Sequence, residues 1–233
     1  MNGSLDFSVI LHGQYGHMIL DGMWLTLQLA VGAWLLAMVL AMVLVVIRLT
    51  RVRPLEWLVA AWVSYHRNVP TLIQLMMWYF AIPTLLPESV QMWLNEFNAE
   101  FLFSLVALGM CQSAYFSEDI RSGLRATPDG QSEAARALGM SYVQSMRLII
   151  LPQGVRNALP ALINHTVLLF KNTSLAMVIG VADLTYVTRE IENYTFRTFE
   201  AYLVSTFCYL VFSLLLMAAG ALLAQRFHRV TAR

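Results

Sequence analysis

The sequence predicts an all-α integral membrane protein, one domain over residues 1–233 with about five transmembrane helices, N-terminus outside and C-terminus in the cytoplasm. Three observations carry this reading. The 233 residues are 58% hydrophobic with a mean hydropathy of +0.62. Only 12% are charged, about half the share of a soluble domain, which leaves too little polar surface to disperse a water-soluble fold. The apolar residues also gather into stretches near the roughly 20 residues a helix needs to cross the hydrocarbon core, and arginines gather on one side of them.

The first stretch, 22–47, has no charge and ends at Arg48, Arg51, Arg53 and Pro54. Residues 55–65 follow as an amphipathic approach, with Trp57 and Trp62 suited to an interface. The second span, 68–87, lies between Arg67 and Glu88; Pro70 stands near its start and Pro83 and Pro87 near its end, where helix breakage is tolerated. The third, 101–117, is short. A polar interlude, 118–156, separates it from the fourth, 157–182, which one charge, Lys171, interrupts. The fifth is 201–225. With the N-terminus outside, the inner loops hold Arg48, Arg51, Arg53, Arg121, Arg125, Arg136, Arg147 and Arg156, and the tail adds Arg226, Arg229 and Arg233. The other side keeps Arg189 and Arg197 among Glu88, Glu96, Glu100, Glu190, Glu192 and Glu200. That asymmetry sets the orientation.

Composition also narrows the function. Net charge is +1 and no basic tract carries interleaved aromatics, so nucleic-acid binding is not expected. Cys111 and Cys208 lie inside apolar runs, as packing residues do, with no metal spacing and no disulfide framework. The N-terminus lacks a basic n-region, so a cleaved signal peptide is not expected.

The polar interlude has local order. Thr127-Pro128-Asp129-Gly130 reads as a turn, with Asp129 placed to cap a helix over about 131–138. Gly139 accepts the left-handed conformation that ends it. Ser141 opens a second helix, and Gln144 completes a capping-box pattern. Val143, Met146 and Ile150 are expected on its apolar face, and Pro152 where the chain turns back to the membrane. The result is two short helices with a sharp bend. Singly, Glu133 in a first turn suits the helix dipole and Ala134 and Ala135 are good helix formers; together, small side chains beside a fixed bend suit a helix that seats in a groove.

Glu133-Ala134-Ala135, Gly139, Ile149 and Leu151-Pro152 resemble the cytoplasmic signature of ABC-importer permeases. The resemblance implies a type I importer fold in which a coupling loop, about 121–156, docks a short helix into an ATPase. It places that role on Glu133, Ala134, Ala135, Gly139 and Pro152. Arg67, Pro70, Leu72, Gln74, Leu75, Tyr79 and Phe80 are similar to the second-span pattern of polar amino acid permeases. Tyr115, Ser117-Glu118, Ile120-Arg121 and Leu151-Pro152-Gln153 continue the likeness, as do Thr173-Ser174-Leu175 and Ile179-Gly180-Val181. One departure is Asn172, where many members follow the lysine with aspartate. The family implies a bacterial inner-membrane subunit importing polar amino acids, glutamate or aspartate first. Its partners would be two copies of a cytoplasmic ABC ATPase, a second permease (the same chain or another) and a periplasmic substrate-binding protein.

Lys171 is the only lysine and follows Phe170, so no Gly-Lys-Ser/Thr phosphate loop exists in this chain. It is expected to be non-catalytic and to hold no cofactor, with ATP and Mg on the partner ATPase. The histidines at 12, 17, 66, 165 and 228 are scattered, which argues against a metal site or a membrane enzyme. The remaining alternative is an ion-coupled secondary amino acid transporter or channel without an ATPase; the paired broken helices such folds use are not visible.

Charged groups inside a span face a cavity or a partner. Asn157, Asn164 and Lys171 recur every seven residues and so return to within roughly 20° of one helix face; His165 and Asn172 form a parallel row. This seam is expected to line the translocation path, with Lys171 meeting a substrate carboxylate or a neighbouring acid. The competing expectation is that Lys171 snorkels or pairs with Glu118 or Asp119. Gln74 and Gln112 are expected to make helix-packing hydrogen bonds.

Overall fold

Small residues at four-residue spacing shape the first helix. The computed structural model describes residues 5–96 and 98–229, and among these it contains helices and no strand. Helix α1, Gly13–Leu49, buries Ala33, Ala37, Ala41 and Val45 along one stripe. This stripe lets a second long helix lie close, where Phe116 and Ile120 fill the groove. α1 begins well before residue 22 because its exposed polar residues His17 and Asp21 ride on its outer turns.

Thr50 and Arg51 break the helix, Arg51 with a φ of 56°. Helix α2, Arg53–Asn68, then starts with Pro54 in its first turn. It buries Val59, Val63 and His66 and exposes Trp57 and Leu58, the amphipathic division expected for 55–65. Helix α3, Thr71–Leu85, passes from an α-helical turn through a π turn at Met77–Ala81 to a 3-10 turn at Ile82–Leu85. Pro83 lacks the N–H an α-turn would need, so the ladder changes register there. At 1.5 Å per residue α3 is roughly 22 Å long, short of a ~30 Å bilayer core. Among the described residues four helices are long and apolar enough to cross a membrane, and the expected span at 68–87 is this shorter one.

After helix α4, Glu88–Asn95, the Asn98 side chain accepts a hydrogen bond from Phe101 N at 2.9 Å. That cap opens α5, Ala99–Arg125, the most buried of the long helices. α5 runs past residue 117 because its next charges find partners: Glu118 meets Arg48 at 2.7 Å and also Arg121, and Asp119 meets His165 at 2.6 Å. Helix α6, Asp129–Ala137, follows in the polar interlude.

Helix α7, Tyr142–Ile179, is continuous through Pro152, against the expectation that the chain turns there. A π turn at Met146–Ile150 comes immediately before Pro152, and the change of hydrogen-bond register there carries the helix past the missing N–H without a break. α7 closes in a 3-10 segment at Gly180, φ 94°. Helix α8, Leu184–Thr195, is capped by Asp183, which accepts from Tyr186 N at 2.9 Å. Helix α9, Thr198–Arg229, presents most of its surface outward. Of the basic tail, Arg233 lies outside the described residues.

α5 is the axis of the bundle, with α1, α7, α3 and α2 packed round it and α8 and α9 bracing α1 and α7. The central core joins Leu29 and Ala33 of α1 to Leu75 of α3, Leu108 of α5 and Leu169 of α7. A second cluster, Met23, Leu184, Val187, Ile191 and Ala201, fixes α8 and α9 against α1.

Candidate coupling segment and polar seam

The bend after α6 is set by two local devices in sequence. Gly139 takes φ 76°. Its N–H bonds Arg136 O at 2.9 Å and the Met140 N–H bonds Ala135 O at 3.1 Å, the paired bonds of a Schellman cap. Two residues later Ser141 N bonds Gln144 Oε1 at 2.9 Å and Gln144 N bonds Ser141 Oγ at 3.3 Å, a complete capping box. Four hydrogen bonds from the backbone N–H groups of Gly139, Met140, Ser141 and Gln144 hold the corner, so α6 leaves α7 at a defined angle.

Other details differ from the sequence reading. Pro128, not Asp129, holds the cap position; Pro128 keeps an extended ψ of 138° and Asp129 becomes the first helical residue with no side-chain cap bond. The carboxylate still sits in the first turn, where the helix dipole favours it. Val143 does not share a face with Met146 and Ile150: it is 70% exposed, whereas the other two are half-buried. Val143 stands in the first turn after the Ser141 cap, on the outer side of the corner.

Ala135 is fully buried against the hairpin, while Glu133, Ala134 and Gly139 are exposed. Leu138, Tyr142 and Val143 stand 79%, 63% and 70% exposed beside them. The tip thus presents three exposed side chains with apolar bodies, Leu138, Tyr142 and Val143, and one carboxylate, Glu133. Pro152 is exposed at the opposite end of the segment, on the stem and away from this tip.

The stem of the hairpin is clamped. A Cβ added at Gly123 of α5 would lie 2.3 Å from Gly154 O and 2.8 Å from the Ala158 Cβ of α7. Asn157 Nδ2 donates to Gly123 O at 3.3 Å across the same crossing. The two helices that frame the segment therefore meet backbone to backbone at its base.

Asn157, Asn164 and Lys171 are all exposed along α7, with Asn172 half-buried beside them. Among the described residues Asn164 and Lys171 therefore lie on an open face, while Asn157, at one end of the same row, reaches α5 through its bond to Gly123 O. Lys171 does not pair with either candidate acid. Glu118 is engaged by Arg48 and Arg121, and Asp119 by His165, so the two rows part: His165 of the parallel row turns to α5 while Asn164 and Lys171 of the first face outward. Gln112 donates to His165 O at 3.1 Å, and Gln74 bonds His66 Nδ1 at 2.5 Å and Val69 O at 2.7 Å. Both are helix-packing contacts as expected.

Residues 34–229 match the family described as binding-protein-dependent transport system inner membrane component. The chain belongs to this family. As an inner membrane component it is a multi-pass protein of that membrane. It is 35% identical to the glutamate/aspartate import permease protein GltK of Escherichia coli O6:H1 (strain CFT073), over 92% of this chain and 93% of that one. It is 34% identical to the probable glutamine ABC transporter permease protein GlnM of Bacillus subtilis (strain 168), over 91% and 94%. A solved amino acid ABC transporter with histidines superposes with a TM-score of 0.84 at 29% identity, covering 96% of this chain and 99% of that one. The resemblance drawn from the segment 133–152 thus holds at the level of the family.

Several residues that organise this inner membrane component were not singled out in the sequence. Gly123 and Gly154 carry a small-residue signal, but only helix crossing tells which glycine meets which. Arg48 was read as a loop charge; it reaches from the end of α1 into the bundle to hold Glu118. The Asp119–His165 pair joins residues 46 apart, and nothing local announces it.

Proposed function

We propose that this chain is the membrane-spanning permease subunit of an ATP-driven ABC importer of polar amino acids, with glutamate and aspartate the first candidates. The carrying observation is the coupling hairpin: a short helix with a small-residue face and a fixed bend, clamped at its stem to two long helices. Glu133, Ala134, Ala135 and Gly139 supply the surface and corner, and Pro152 starts the helix that carries the motion away. A partner that pushes on the tip moves α5 and α7 together, because Gly123 and Gly154 leave no slack between them.

The chain has no phosphate-binding loop, so ATP and Mg belong on separate subunits, two copies by symmetry. The open part of the seam, Asn164 and Lys171, supports a path completed by a second permease, with Asn157 at its end tied to α5. A substrate-binding protein would deliver the amino acid to the opposite side, where the acids gather. Lys171 has no carboxylate within 4.0 Å among the described residues, which leaves its ammonium available to a substrate carboxylate. The choice of glutamate or aspartate leans on the GltK likeness, and the GlnM likeness places glutamine behind it.

Co-purification with the cognate ATPase tests the reading. The native chain should retain the ATPase, and Glu133→Lys should lose it while the thermal midpoint of the permease stays in place. Retention in the variant, or amino acid transport with no ATPase present, would overturn the assignment. In the assembled complex Lys171→Met should lower transport while ATPase binding persists; unchanged transport would remove Lys171 from the path.

A further inference from the structure

A cavity of about 1340 Å³ opens between the end of α1, the start of α2, the end of α5 and the coupling hairpin. Its lining has two characters. Val45, Leu49, Trp57, Leu124, Met146 and Ile150 make part of it apolar. Arg48, Arg51, Arg121, Arg125 and Arg136 bring positive charge from α1, the turn after it, α5 and α6.

Glu118 holds Arg48 and Arg121. Among the described residues no carboxylate lies within 4.0 Å of Arg51, Arg125 or Arg136. The acids of the lining, Glu56 and Asp129, do not balance them, so the wall keeps a positive surplus. Arg51 also sits at a left-handed φ of 56°, a conformation that is strained for a bulky L-residue and persists only where surroundings impose it.

The chemistry of the lining selects the occupant. Guanidinium groups match phosphate oxygens bidentately, and basic pockets at the inner ends of membrane helices suit anionic headgroups. A free phosphate would have no use for the apolar wall. Trp57 is 78% exposed and Leu58 68% exposed on the outer face of α2, so the apolar side of the cavity continues onto a surface that suits acyl chains. We propose that this cavity is a binding site for an anionic phospholipid of the phosphatidylglycerol type, its phosphodiester held by Arg51, Arg125 and Arg136. Bound there, the lipid would bridge the α1–α2 turn to the coupling helix and tie α6 to the leaflet. The proposal rests on the arginine-rich side facing the inner leaflet and does not require the ATPase.

The full chain in phosphatidylcholine nanodiscs, doped with spin-labelled phosphatidylglycerol or spin-labelled phosphatidylcholine, tests it through the motionally restricted fraction of label. The expected result is preferential restriction of phosphatidylglycerol. The double variant Arg51→Gln/Arg125→Gln should weaken it about fivefold per arginine, at ~1 kcal/mol for each. Arg51→Lys/Arg125→Lys, which keeps the charge and loses the bidentate fork, should fall between the native chain and the double Gln variant, and Arg189→Gln, on α8, should leave it unchanged. Equal restriction of both lipids, or full restriction in the double Gln variant, would overturn the proposal. Displacement by added inorganic phosphate would also overturn it, by making the cavity a soluble-anion site. The same measurement with ATPase bound separates this idea from the coupling reading: retained lipid supports it, and expelled lipid would assign the cavity to the protein partner.

Discussion

Gly123→Ala puts one methyl group into the tightest crossing of the bundle. The new Cβ would stand 2.3 Å from Gly154 O, 2.7 Å from Ala158 N and 2.8 Å from Ala158 Cβ, whereas ordinary contact begins at 3.4 Å. Two of these three atoms are backbone, so no side chain can rotate away. α5 and α7 must separate by about 1 Å, and a gap of that size forfeits a quarter to a half of each contact's dispersion energy along the crossing. Overpacking of this kind costs roughly 1–3 kcal/mol. The separation also stretches the Asn157–Gly123 hydrogen bond, already 3.3 Å. The assay is thermal unfolding of the purified permease in detergent, paired with transport per ATP hydrolysed in the reconstituted complex. Both should fall, because a loosened stem no longer moves α5 and α7 as one. Gly130→Ala is the internal control: nothing lies within 4 Å of its Cβ, and it sits in α6, where alanine is the better helix former by roughly 0.5–1 kcal/mol. A Gly123→Ala protein as stable and as tightly coupled as the Gly130→Ala protein would refute the clamp.

Two further outcomes follow from the polar contacts. Glu118→Gln keeps the shape but removes the charge that Arg48 and Arg121 share, leaving two guanidinium groups without a counter-ion; a loss of roughly 1–3 kcal/mol is expected in chemical denaturation, and an unchanged midpoint would show that water already screens them. Burial holds the Asp183 carboxyl up at about 6, above its value in an unfolded chain, so the folded protein binds the extra proton and loses stability as pH rises from about 4 through 6. Asp183→Asn retains a capping side chain and should flatten that slope; a variant with the same pH profile would place the titration elsewhere.

The segment 127–152 was the most legible part of the chain, and for a local reason. A left-handed glycine and a Ser-x-x-Gln cap act over three or four residues, so Gly139 and the Ser141–Gln144 pair form as read. Two details of the same segment differ for equally local reasons: Pro128 takes the cap position ahead of Asp129, and Val143 falls in the first turn on the outer side of the corner. Pro152 was read as a break because proline ends most helix interiors; here the turn before it had already changed register. The seam of Asn157, Asn164 and Lys171 was legible as a phase, since helical periodicity alone puts these residues on one face. Its neighbour His165 was not, because whether it joins the seam depends on Asp119 of another helix.

The amino-acid sequence by itself determined the solvent of this protein, most of its long helices and the bend of the hairpin, because hydropathy, periodicity and capping chemistry act between near neighbours. Tertiary structure alone decided that Gly123 meets Gly154, that Arg48 serves Glu118 and so releases Lys171, and that unpaired arginines from separate elements enclose one cavity. Those pairings depend on where helices cross and at what rotation. A crossing is chosen by the summed packing of whole helix faces, which no short stretch of sequence contains.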